Sequence, residues 1–129
     1  MSLINEIEVI YKKDNDTGLP EIIRNGITYY LGGSAKALYA SAYDEFFGAV
    51  NHTIETQKNI VIDFKIGYYN SKANQMLKVL FSLLNANYFR CKPTVNWYYF
   101  EDDLYMQEAC EDHIEDYPNI EFNSLILKD

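Results

Sequence analysis

The segment Gly67-Tyr68-Tyr69-Asn70-Ser71-Lys72 holds the residues of this chain best placed to carry chemistry: a serine hydroxyl next to an amide side chain, where a strand pattern gives way to a helix pattern. Residues 60–64, Ile-Val-Ile-Asp-Phe, are almost continuously apolar and β-branched, as a strand covered on both faces should be. Gly67 breaks that run, and Ala73, Leu77, Leu80 and Leu84 then follow at helical spacing. The turn therefore falls at the carboxyl end of a central strand, where open α/β sheets place their sites. Backbone N–H groups left unpaired in a first helical turn, together with the helix dipole, favour negative charge at that point. A phosphate on Ser71 could be held there, which makes the hydroxyl a candidate switch. The residues alone leave a second reading open, because Asn and Ser are the commonest helix caps and Ser71 then does no more than start its helix.

Other constellations support less chemistry. No phosphate loop, dinucleotide fingerprint or nucleophile elbow is present, and Gly32-Gly33 alone is too weak to invoke a nucleotide. His52 and His113 are isolated, and His113 falls on the apolar stripe of its helix, as a core or boundary histidine would. Glu108, Glu111, Asp112, Glu115 and Asp116 follow helical spacing and lack the glycine and alternating donors of a calcium loop, so a solvated acidic face is expected and no metal. Catalytic residues and cofactors are expected to be absent. The 12 tyrosines matter more, because Tyr29-Tyr30, Tyr68-Tyr69 and Tyr98-Tyr99 are paired. In strand conformation one ring of each pair faces the core and the other faces outward, where contact surfaces begin.

Composition narrows the class. At 129 residues the chain is the size of one domain, expected to span 1–129, and 48% hydrophobic residues with 6 Gly and 3 Pro mark it as globular. A net charge of −8, with 11 Lys and Arg scattered along the chain, argues against nucleic acid and membrane as partners. The N-terminus lacks a signal-peptide pattern and no apolar run is long enough to cross a bilayer, so a cytoplasmic location is expected. There Cys91 and Cys110 are expected as free thiols, and the sequons at Asn15 and Asn51 carry no meaning.

The elements that must position Ser71 can be read in order. Residues 4–11 form an edge strand and residues 12–18 a polar loop. Residues 21–23 and 27–31 flank Arg24-Asn25-Gly26, a strong hairpin signal. Gly32-Gly33 turn the chain sharply, Ser34 caps, and Leu38, Ala42, Phe46 and Val50 line a first helix ending near Asn51. After the central strand and the Ser71 helix, residues 94–100 form an aromatic strand. A third helix carries Met106, Cys110, His113, Ile114 and Tyr117 on one face and stops at Pro118, and residues 120–127 close the chain as a strand. The fold class is α/β: a small open mixed sheet, an early antiparallel hairpin followed by parallel strands, with about three helices.

Four stretches together are more specific than any of these patterns. They are Leu19-Pro20-Glu21-Ile22; Gly33-Ser34 ahead of Tyr43-Asp44-Glu45-Phe46-Phe47; Tyr68-Tyr69-Asn70-Ser71; and Trp97-Tyr98-Tyr99-Phe100-Glu101-Asp102-Asp103 with Met106 and Glu111-Asp112 beyond. Over residues 19–127 the chain resembles the SiaC-type regulatory phosphoprotein family. The resemblance implies a fold like the STAS domains of anti-sigma-factor antagonists. It further implies phosphorylation after an aromatic-aromatic-Asn triplet by a partner-switching kinase, reversal by a PP2C-type phosphatase, and binding of the unphosphorylated form to a diguanylate cyclase. Ser71 takes the phosphoacceptor position. The family's run of Ser and Thr ending in Lys is here Ser71-Lys72-Ala73-Asn74, so a single hydroxyl carries the role. Asn70 is expected to cap or orient the acceptor, Tyr68 and Tyr69 to supply contact area, and Lys72 to pair with the phosphate or guide the kinase. The alternative is a constitutive adaptor that uses the same tyrosine surface.

Overall fold

The computed structural model describes residues 7–12, 18–35 and 43–128, with Lys72 described by its backbone only. The Asn25-Gly26 signal produces the expected hairpin between β2 (Glu21–Asn25) and β3 (Thr28–Ala35), with Gly26 at φ +64° in the turn. β1 (Ile7–Tyr11) pairs antiparallel with β2. The chain then alternates: α1 (Asp44–Thr56), β4 (Asn59–Tyr69), α2 (Ser71–Ala86), β5 (Lys92–Phe100), α3 (Leu104–Asp116) and β6 (Glu121–Leu127). The six strands form one sheet in the order β1-β2-β3-β4-β5-β6, antiparallel through β3 and parallel from β3 to β6.

Three parallel steps taken in the same direction, each crossing right-handed through a helix, put all three helices on one face of the sheet. Ile60, Ile62, Phe64 and Ile66 of β4 meet Val95 and Trp97 of β5 on that face, buried under Phe46, Leu77, Leu80 and Phe81. Phe64 and Trp97, opposite each other in the register, stack with centroids 4.2 Å apart. The expectation of a central strand covered on both faces is therefore corrected. Val61 and Asp63 are half-exposed on the open face, where Asn96 Nδ2 donates to Asp63 Oδ1 at 2.8 Å and Asn123 Nδ2 to Asn96 Oδ1 at 2.9 Å. That ladder gives the polar side chains partners across three strands, so no second helix layer is required.

Other boundaries also move. Gly32-Gly33 do not turn the chain, and Ser34 is no cap: all three lie in β3, with Gly33 at φ +87° where the pairing with β4 shifts. Leu38 and Ala42, expected on the first helix, lie outside the described residues. α1 runs past Asn51 to Thr56 because Thr53 and Ile54 continue its buried stripe, with Thr53 Oγ1 and Tyr29 Oη hydrogen-bonded at 2.8 Å. The paired tyrosines divide as expected: Tyr29, Tyr69 and Tyr99 are buried, while Tyr30 and Tyr98 are half-buried and Tyr68 is exposed. Cys91 and Cys110 are free and buried, and burial pushes both thiols up from their ordinary pKa.

Candidate functional site

The site begins with an irregularity in β4. Gly67 does not end the strand as its place in the sequence suggests; β4 continues through it to Tyr69. Gly33 pairs with Ile66 and Ser34 with Tyr68, so Gly67 is an extra residue opposite no partner. A bulge of this kind breaks the alternation of faces. Ile66 points in, Gly67 and Tyr68 both point out, and Tyr69 points in again. Tyr68 is consequently 53% exposed and Tyr69 only 7%. Tyr68 is the exposed ring of the pair. Tyr69 is the buried one: its ring packs edge-on against Phe64 and near Tyr105, and burial, with Tyr105 and Asp112 nearby, pushes its hydroxyl pKa up to about 12.

The chain leaves the sheet at Asn70, whose N–H donates to the Ala35 carbonyl at 3.1 Å, and enters α2 at once. Asn70 is the cap: its Oδ1 accepts from the Ala73 N–H at 3.0 Å, and its carbonyl accepts from the Asn74 N–H at 2.9 Å. Capping is thus not the task of Ser71. Ser71 is the first helical residue and is exposed, with its hydroxyl left over from the cap. The N–H groups of Ser71 and Lys72 precede the first intrahelical bond, and no acidic side chain occupies the first turn of α2. This helix end can accept an anion attached to Ser71 Oγ. The side chain of Lys72 lies outside the described residues.

A second helix starts beside it. Asp103 caps α3, its Oδ1 accepting from the Met106 N–H at 3.1 Å, and Trp97 Nε1 donates to the Met106 carbonyl at 3.1 Å, tying that start to β5. Between the two helix starts is a hollow of about 540 Å³ bordered by Gly67, Tyr68, Asn70, Ser71, Asp103 and Tyr105. Tyr105 and Phe100 add exposed aromatic surface at this end of the sheet. Sequence reasoning named Ser71, Asn70 and Tyr68 but missed Asp103 and Tyr105 as neighbours of the hydroxyl; the signal available was the acidic start of the helix after residue 100. His113 is buried at 6% exposure, against Phe81, Trp97 and Tyr117, and His52 is exposed at the far end of α1. The acidic residues of α3 form no metal-binding group among the described residues.

The fold and this site define a small α/β module that offers an exposed serine at a helix start, beside exposed aromatic rings at the carboxyl ends of parallel strands. The chain belongs to the SiaC family of regulatory phosphoproteins, whose family model matches residues 23–127. No curated protein sequence matches it. Solved structures do. The crystal structure of the diguanylate cyclase SiaD in complex with its activator SiaC from Pseudomonas aeruginosa contains a chain of the same fold, with TM-score 0.74 and 15% identity over 86% of this chain and 94% of that one. Apo-SiaC from the same organism gives TM-score 0.72 at 16% identity, covering 84% of this chain and 92% of that one.

Proposed function

We propose that this chain is a non-enzymatic regulator in a partner-switching system, binding an effector protein when Ser71 is unmodified and releasing it when Ser71 is phosphorylated. The observation that carries the reading is the division of labour at the start of α2: Asn70 makes the capping bond, and the exposed Ser71 hydroxyl is left within reach of a kinase. Phosphorylation adds about −1.5 to −2 charges and three acceptor oxygens. The unpaired N–H groups of α2 stabilise that charge on the module, while a partner docked over Tyr68 and Tyr105 must exclude it or desolvate it. Asp103, on the other wall of the hollow, adds repulsion of the same sign and turns the phosphate outward toward the partner.

The effector is a diguanylate cyclase, by analogy with the P. aeruginosa SiaC that is described as an activator of one. A protein kinase writes the mark, and a PP2C-type phosphatase removes it. Lys72 contributes to phosphate pairing or kinase recognition. The setting is cytoplasmic, consistent with the absence, among the described residues, of any helix long and apolar enough to cross a membrane.

The test is affinity capture from host lysate with Ser71→Ala and Ser71→Asp baits, followed by titration of the captured partner. Ser71→Ala should retain binding, and Ser71→Asp should weaken it at least tenfold. Equal affinities, with no phosphoserine in the intact mass of protein isolated from its host, would instead make the chain a constitutive adaptor.

A further inference from the structure

α3 turns an acidic stripe toward α2. Glu108, Asp112 and Asp116 follow one another four residues apart, about 6 Å per step along the helix, and with Glu115 they border a cleft of about 390 Å³ between the two helices. Asn74 and Lys78 of α2 form the opposite wall, so four carboxylates face a single ammonium group. No ion pair joins them among the described residues. Like charges at this spacing repel one another, and Glu115 and Asp116 sit at the end of α3 where the helix dipole favours cations. The stripe therefore opposes folding locally, as side chains with a role outside folding do.

His113 points to a ligand independently of the carboxylates. It is buried, it borders the cleft, and neither ring nitrogen has a hydrogen-bond partner among the described residues, although buried polar groups are nearly always bonded. Burial lowers its pKa, so at neutral pH one nitrogen offers a lone pair to a donor in the cleft. Tyr105, 66% exposed, adds an aromatic wall. Tyr105 and Tyr69 border both this cleft and the hollow beside Ser71, so the two cavities adjoin.

We propose that the cleft between α2 and α3 receives an arginine side chain from a basic segment of the protein partner that covers the Ser71 hollow. That this partner is the switched effector rests on the proposed function, whereas the cation site does not. A guanidinium suits the cleft better than an ammonium. It is planar and can stack on the Tyr105 ring, and its five N–H donors can be shared between carboxylates of the stripe and the His113 nitrogen. A bare metal ion suits it less, because the acidic side chains form no metal-binding group among the described residues. A docked segment can fill the cleft and cover the adjoining hollow at once, which an isolated small cation does not do. The net charge of −8 draws a basic segment toward this face, so salt should weaken the contact.

Proton–nitrogen NMR spectra of the full chain, titrated with an end-blocked Gly-Arg-Gly peptide, test the site. Saturable shifts are expected at Asn74, Lys78, Tyr105, Asp112 and His113, with at least threefold weaker binding of Gly-Lys-Gly and none of the neutral citrulline isostere. Asp112→Asn with Asp116→Asn should lower the arginine-peptide affinity at least tenfold. Glu55→Gln with Glu121→Gln, which removes the same charge at exposed positions on α1 and β6, should leave it within twofold. Free arginine, whose own carboxylate the stripe repels, should bind more weakly than the peptide. In the Ser71→Ala background, the captured effector should bind the Asp112→Asn, Asp116→Asn protein at least tenfold more weakly. Absence of shifts at the cleft, an equal response to citrulline, free arginine binding as tightly as the peptide, or full effector affinity in the double variant would each overturn the proposal. Ser71→Asp should leave the peptide affinity within twofold, so Ser71 baits of equal effector affinity would remove the switch and leave the cleft standing.

Discussion

Asn70 and Ser71 separate two tasks that neighbouring residues at a helix start are often thought to share. The Asn70 side chain satisfies the Ala73 N–H, so Asn70→Ala should lower stability by about 1 kcal/mol, and Asn70→Ser should restore most of it. Ser71→Ala, at an exposed position outside the cap, should stay within about 0.5 kcal/mol of the parent. Urea unfolding of the three variants separates the roles: a Ser71→Ala loss as large as that of Asn70→Ala would return Ser71 to the status of a cap. At this scale much was legible, because Asn-Ser ahead of Ala73 and Leu77 is a local signal that needs no knowledge of the rest of the fold. The roles of Tyr68 and Tyr69 were legible only as a pair. Which ring faces outward depends on how β4 pairs with β3, and that is a property of two strands.

Among the elements, the hairpin, the three helices and the parallel order follow from local turn chemistry and apolar spacing. What escaped was Gly67, which reads as a breaker in isolation and in the sheet is an extra residue within an unbroken strand. Gly32-Gly33 misled for the same reason, since the backbone freedom that permits a turn also permits the irregular pairing of two strands. The one-sided covering of β4 was hidden because Val61 has the same apolar character as its buried neighbours, while its exposure is fixed by the direction of the crossovers. The bulge carries a testable consequence. Deleting Gly67 leaves Ile66 inward, Tyr68 outward and Tyr69 inward in regular pairing with β3, so both rings should keep their faces. That variant should retain helical and sheet circular dichroism and its affinity for the effector, whereas Tyr68→Ala should lose affinity at least tenfold. Unchanged affinity in Tyr68→Ala would mean that the exposed Tyr68 ring is not part of the contact surface.

For the molecule as a whole, His113 ties the packing of the layers to pH. Its ring lies 4.9 Å from Phe81 and 5.4 Å from Trp97, so it joins α3 to α2 and to β5. Burial lowers its pKa from 6.5; Asp116 and Asp112 oppose that shift, and Lys78 adds to it. The unfolded chain therefore binds a proton at this residue at a higher pH than the folded chain does. Linkage fixes the sign: stability is fully present above pH 6.5 and declines as pH falls from there through the lowered folded-state value. The urea midpoint measured from pH 7.5 downward should drop in that window. In His113→Gln, which cannot titrate, the drop should be smaller, leaving only the share of the carboxylates. The comparison must be made between the two curves rather than on either alone, because the chain carries 19 Asp and Glu whose own protonation follows at lower pH. Parallel curves would mean that His113 is hydrated well enough in the native state to titrate as it does in the unfolded chain.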